Sequence, residues 1–165
     1  MVNVVSARAV AERVTDPELP MLTLAELGIL REVFEEDGKV IVSITPTYLG
    51  CPAMDTMRDD LLHALGEAGY PDVEVRTVLA PAWSTDWITE RGKAKLADAG
   101  IAPPGKAPFT AKGPVPLTLT VRDDVTCPRC GHADTTELSR FGASACRALR
   151  RCPACGEPFE HMKEI

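Results

Sequence analysis

Four of the six cysteines in this chain fall into two pairs, Cys127-Pro128-Arg129-Cys130 and Cys152-Pro153-Ala154-Cys155. Two residues between paired cysteines let both thiolates reach one ion from a tight turn. The 21 residues from Cys130 to Cys152 are enough for a β-hairpin that carries the second pair across to complete a tetrahedron. Gly131 and Gly156 follow the pairs, where a turn of this kind favours a residue free to take positive φ. The pattern predicts a zinc ribbon with Cys127, Cys130, Cys152 and Cys155 as ligands. Four thiolates leave no open coordination position, so the ion is expected to be structural, with Zn2+ preferred over iron in a rubredoxin-like site. His132 and His161 are near enough in sequence to substitute as ligands, but the four cysteines make them unnecessary. Two disulfides would need an oxidising compartment. The segment 1–14 carries Arg8, Glu12 and Arg13 with no continuous apolar run, so neither a signal peptide nor a membrane span is expected and the cytoplasm is the expected location.

Cys51 stands apart, between Gly50 and Pro52, where strand, loop and helix start are expected to meet. Peptide dipoles and unpaired N–H groups at a helix start stabilise an anion, which would lower its thiol pKa and suit it to metal binding or attack. The competing reading is a buried thiol acting as a small hydrophobe. No histidine neighbours it, so a metal-carrying thiolate is a better reading than a hydrolase nucleophile. Cys146, among Ala145, Ala148 and Leu149, is expected to be packed.

Charge argues against a nucleic-acid partner. The net charge is −6, and residues 1–119 hold 11 Lys and Arg against 17 Asp and Glu. Arg147, Arg150 and Arg151 form a local basic cluster, expected to balance the thiolate centre or meet an acidic protein rather than a phosphate backbone.

The elements that must position these residues are α/β in the α+β sense, a small mixed sheet packed with helices followed by the ribbon. Residues 4–14 read as a short amphipathic helix stopped by Asp16-Pro17. Residues 29–35 and 39–45 flank Glu36-Asp37-Gly38 as a hairpin. A helix is predicted over 52–68, stopped at Gly69, and a third strand over 73–77. Ser84 suits the N-cap of a helix running to about Ala99, with Trp83 and Trp87 four apart as a core or interface pair. Residues 102–116 hold five prolines and two glycines and read as a semi-rigid linker between a first domain, 1–101, and a ribbon domain, 117–165.

Asp16-Pro17-Glu18-Leu19-Pro20, Leu27-Gly28-Ile29-Leu30, the run from Ile44 to Pro52 and the run from Pro81 to Trp87 resemble the iron–sulfur cluster assembly domain of SufT and PaaD proteins. Phe141-Gly142 and the second knuckle followed by Glu157-Pro158-Phe159 extend the likeness to the phenylacetate-degradation family PaaD, also called PaaJ. The resemblance implies a non-catalytic accessory protein of the phenylacetyl-CoA epoxidase that assists insertion of iron or an iron–sulfur cluster. Its partners would be the reductase or, second, the oxygenase component. It points to Asp16, Thr45 and Cys51 as the transfer site, and places Trp83 and Asp86 in a PaaD-like segment as partner contacts. Leu19 replaces a more usual isoleucine. Local chemistry also allows Asp16 to fix its Asp-Pro turn and Thr45 simply to end a strand. A structural docking protein of the epoxidase complex and a nucleic-acid-binding regulator are the competing functions. A homodimer is expected on the ground that one cysteine is a poor cluster site.

Overall fold

A computed structural model of the protein describes residues 6–107 and 124–165. The chain forms two compact units, 1–92 and 93–165. The first contains α1 (Ala7–Ala11), β1 (Leu30–Glu36), β2 (Lys39–Ile44), α2 (Met54–Glu67) and β3 (Val73–Thr77). The strands form one mixed sheet in the order β1-β2-β3, antiparallel between β1 and β2 and parallel between β2 and β3. Asp37-Gly38 closes the β1–β2 hairpin with positive φ at both residues, the geometry whose twist matches that of paired strands. The parallel step needs a crossover, and α2 supplies it.

Val40, Ile41, Val42 and Ile44 of the central strand are all buried, as expected of a strand covered on both faces. Helix α2 packs on β3, and α1 packs on both α2 and β1. Met57, Leu61 and Leu65 form the buried stripe of α2. Ser6 caps α1 through Ala9 N–H, so the helix is one short piece of the longer one predicted, and residues 4 and 5 lie outside the described ones.

The helix predicted from Ser84 to about Ala99 is interrupted. Ser84 does cap a turn, but that turn is a 3-10 segment, Thr85–Trp87, and Ile88 is extended before α3 (Glu90–Asp98) begins. Tertiary contacts outweigh local helix propensity at the break. Ile88 is buried, Thr89 N–H donates to Glu26 O at 2.9 Å, and Thr89 Oγ1 accepts Gly92 N–H at 3.0 Å. The 24–29 loop presses so closely on this segment that a Cβ at Gly28, whose φ is +72°, would sit 2.5 Å from Trp87 Cβ. Only glycine meets both demands.

The second unit carries β4 (Ile101–Ala102), β5 (Thr136–Ser139), β6 (Arg147–Arg151) and β7 (Pro158–Met162) in the sheet order β4-β7-β6-β5. Strands β5, β6 and β7 form an antiparallel meander, and β4 adds in parallel to β7. Ala102, where the linker was expected to begin, therefore belongs to the ribbon's sheet, because β7 offers an open edge to its backbone. Residues 108–116 of that expected linker, and 117–123 of the expected ribbon domain, lie outside the described residues. No helix among the described residues is long and apolar enough to cross a membrane.

Candidate metal centre and lone-thiol site

The two Cys-Pro-x-Cys-Gly turns fold alike. Cys127 N–H donates to His132 O and Gly131 N–H to Cys127 O; Cys152 N–H donates to Glu157 O and Gly156 N–H to Cys152 O, each at 2.9–3.0 Å. Gly131 and Gly156 take φ of 75° and 78°, the left-handed conformation their positions require. The second turn joins β6 to β7, the pairing of β5 with β6 (Thr136 opposite Arg151) brings the first turn to it, and the four sulfur atoms all lie within 4.8 Å of one another. A tetrahedron with Zn–S bonds of about 2.3 Å has sulfur–sulfur edges of about 3.8 Å. Cys127 to Cys155 measures 3.8 Å and Cys130 to Cys152 measures 3.5 Å, so the cage fits such an ion.

The electrostatics agree. Cys152 Sγ accepts the N–H of Cys155, then a thiol hydrogen bond from Cys130, and its pKa is drawn down to about 6. Cys130 accepts the His132 N–H, which favours its ionisation, but neighbouring sulfurs oppose a second negative charge and its pKa is pushed up to about 12. Four thiolates this close need a cation to ionise together. Cys127 and Cys152 are buried in a small core with Ala102 and Phe159, while Cys130 and Cys155 reach the surface. Neither His132 nor His161 joins the cluster. His161 is buried, with Nε2 3.4 Å from Glu164 Oε1, and that carboxylate also accepts Gly105 N–H at 2.9 Å. The His161 imidazole, then the Gly105 N–H, hold the Glu164 carboxyl down to about 2.

The basic cluster is largely inside. Arg150 is 1% exposed: its Nε donates to Thr135 Oγ1 at 3.0 Å and Nη2 to Thr135 O at 2.8 Å, and Thr135 Oγ1 donates in turn to Val125 O at 2.6 Å. This chain of bonds ties the strand entering the second knuckle to segments on either side of the first. Arg147 is also buried and meets Glu160 at 2.6 Å. Two of the three arginines are therefore withdrawn from any nucleic-acid surface. Cys146 is buried with Sγ 3.0 Å from Ser144 Oγ, a packed thiol.

Cys51 differs in every respect. It is half-buried, in the loop between β2 and α2. The helix begins at Met54 with Ala53 as its cap, so its dipole acts farther from the sulfur than the sequence predicts. The pKa is raised, not lowered: desolvation dominates, the Ala53 N–H and the Tyr48 hydroxyl favour the thiolate, and the charges of Glu18 and Asp16 oppose it. The resting group is thus a thiol within electrostatic reach of two carboxylates. Asp16 is buried, and its Oδ1 accepts both Glu18 N–H and Leu19 N–H at 2.8 Å, which fixes the Asp-Pro turn. Thr45 is 2% exposed, donates its backbone N–H to Ile29 O, and buries Oγ1 without a hydrogen-bond partner among the described residues. Glu18 and Tyr48 complete the surroundings of Cys51. Tyr48 is three residues from Cys51 in the chain, whereas only the fold brings the charge of Glu18 to bear on the sulfur.

Trp83 precedes the 3-10 turn instead of lying on a helix, is 4% exposed, and donates its indole N–H to Leu27 O at 2.9 Å. A side chain so placed is a core pin rather than a contact for partners. Asp86 is exposed, and its backbone N–H is taken by Ser84 Oγ. Trp87 is stacked under Arg31, whose guanidinium lies 3.6 Å from the ring centre.

Together, the mixed-sheet unit and the four-sulfur ribbon define an iron–sulfur cluster assembly domain coupled to a zinc ribbon. Residues 6–79 match the family model described as iron–sulfur cluster assembly protein, and residues 111–163 match the PaaD zinc beta ribbon domain. An Escherichia coli (strain K12) relative, described as the D component of a "Putative 1,2-phenylacetyl-CoA epoxidase", is 38% identical over 95% of this chain and 90% of its own length. The Bacillus subtilis (strain 168) Fe-S protein maturation auxiliary factor YitW is 33% identical over 52% of this chain and 84% of its own. A Bacillus anthracis crystal structure of a domain of unknown function, DUF59, shares the fold at a TM-score of 0.50 and 28% identity, covering 55% of this chain and 87% of that one. The chain belongs to the PaaD family, the D components of phenylacetyl-CoA epoxidases, and its four-cysteine centre is that family's zinc ribbon.

Proposed function

We propose that this protein is a non-catalytic accessory factor of the phenylacetyl-CoA epoxidase that helps load iron or an iron–sulfur cluster, with Cys51 as the transfer ligand and Asp16 and Thr45 shaping its site. The supporting observation is the contrast between sulfurs. The ribbon cage has the ligand number of a permanent site, whereas Cys51 is a single, half-exposed thiol within the influence of Asp16 and Glu18. Cargo must be held and then released, which one soft ligand with nearby oxygens allows and four thiolates do not. Metal binding would displace the thiol proton that burial and the carboxylates now retain.

In this reading the ribbon holds Zn2+ for its own folding, the first domain acts on the cargo, and the reductase is the first client, with the oxygenase second. A homodimer would bring two Cys51 thiols to one cluster, and the protein would work in the cytoplasm. Anaerobic reconstitution of the inactive epoxidase, following metal content and activity together, tests the proposal. Wild-type protein is expected to restore activity at substoichiometric amounts, and Cys51→Ser to keep its fold and ribbon zinc but restore none. Normal restoration by Cys51→Ser removes the site.

A further inference from the structure

The parallel strands β2 and β3 of the first unit end side by side, where the Cys51 loop begins. Ile44 lies opposite Thr77, and Val78 N–H donates to Ile44 O at 2.8 Å. Thr45 N–H donates to Ile29 O at 2.9 Å, so the loop before β1 reaches the same end of the sheet. Three stretches, 19–25, 45–54 and 77–85, leave from this end, and none contains Asp, Glu, Lys or Arg. The unit as a whole is highly charged, with 16 Asp and Glu against seven Lys and Arg in residues 1–92. Each uncharged stretch exposes one large apolar side chain: Met21 at 36%, Leu49 at 79% and Leu79 at 55%. A single exposed leucine is ordinary, but three such side chains on uncharged segments at one end of a sheet mark an interaction surface. Leu49 is presented by a turn, just before Gly50 with its φ of +82°, and the half-buried Cys51 follows.

The borders of this surface are acidic. Glu18 and Asp55 adjoin the first two stretches, and the exposed Asp86 follows the third. Nearby cations are engaged within the chain: Arg76 by Glu74 at 2.7 Å, Arg91 by Glu26 at 3.1 Å, and Arg31 on the Trp87 ring. Arg58 of α2 is accompanied by the exposed Asp59 and Asp60.

We propose that this end of the sheet docks the protein that receives the cargo, through an apolar face that bears the recipient's own metal ligand and is bordered by basic residues. The inference rests on the transfer role of Cys51 given above. In a direct exchange the client's ligand bonds to iron as the Cys51–iron bond breaks. An incoming thiol gives up its proton, Cys51 takes one up, and no oxidation state changes. Metal–sulfur bonds are only about 2.3 Å long, so the client must touch the residues that flank Cys51. Those flanks are Leu49 and its uncharged neighbours, which favour an apolar face, and the acidic border favours cations around it. A second copy would set two acidic borders against each other, so it holds this face less firmly than a basic client and yields to it.

Hydrogen exchange and binding titrations test this on the full chain with its ribbon metal bound, mixed anaerobically with the purified, iron-depleted reductase and, separately, oxygenase components. Protection is expected at 47–53 and 78–82 with at least one component, and binding should weaken as salt rises. Leu49→Ser and Leu79→Ser should each weaken binding by about tenfold. Both side chains are exposed, so fold and metal content should be unchanged. Asp55→Asn should weaken binding less and flatten its salt dependence. Binding to neither component, binding that leaves both segments unprotected, or binding indifferent to both leucine substitutions overturns the proposal. So does self-association that these substitutions abolish while component binding persists. Cys51→Ser should bind as wild type does and restore no activity. If it restores activity normally, the transfer role fails and the docking face is judged by the binding titrations alone. If Leu49→Ser and Leu79→Ser restore activity as wild type does at limiting concentration, the docking face fails and the transfer role stands.

Discussion

The ribbon centre and the Cys51 site use the same element to opposite ends. In the ribbon, two local turns present four sulfurs within 4.8 Å, and shared hydrogen bonds draw Cys152 down to about 6 while pushing Cys130 up to about 12. Around Cys51 the sulfur is single, burial raises its pKa, and carboxylates stand nearby. A closed cage exchanges versatility for permanence. In the proposed transfer role, a single thiol that keeps its proton until a metal arrives would stay available between cargoes.

The comparison breaks most severely at the buried ligands. Cys152→Ser should abolish metal binding and unfold the ribbon, since structural zinc binding supplies about 10–16 kcal/mol of apparent folding energy in small modules. Metal analysis and limited proteolysis would show the second unit cut and the first intact. Loss of both units together would mean that they do not fold separately. Next in size, Arg150→Met should cost about 2–3 kcal/mol by removing charged hydrogen bonds to Thr135. Chelator competition should show weaker metal retention as the two knuckle segments loosen.

Trp83→Phe should cost about 1–2 kcal/mol by leaving Leu27 O without its indole donor. Thermal melts would detect this, while the metal content of the ribbon should not change. Cys51 alkylation should be slower at neutral pH than that of an unstructured cysteine peptide and should keep rising above about pH 8.5, the ordinary thiol value. A rate plateau near neutrality would contradict the raised pKa. The smallest effect lies in the Glu164 clasp. Because its folded carboxyl is lowered to about 2, its stabilising contribution is complete above the ordinary carboxylate value near 4.5 and is lost as pH falls towards 2. Glu164→Gln should flatten that part of the acid-unfolding curve.

Much of the ribbon was legible because its chemistry is local. Two-residue spacing and a following glycine dictate each knuckle, and strand pairing only has to bring two finished turns together. The β1–β2 hairpin was legible for the same reason, since Asp37-Gly38 sets its own turn. Ser84 was correctly a cap, yet the helix beyond it fails at Ile88, where burial and the Thr89–Glu26 bond override propensity. Sequence placed three arginines in one basic cluster but could not show that both faces of β6 are covered, so that Arg147 and Arg150, three apart and therefore on opposite faces, are both buried.

What the amino-acid order determined alone was the ligand set of the cage and the existence of a lone cysteine between strand and helix, because those depend on neighbours a few bonds away. Tertiary structure decided the ionisation of that cysteine and the burial of Trp83. Desolvation and Coulomb interactions depend on distances between segments far apart in the chain, and only folding sets those distances.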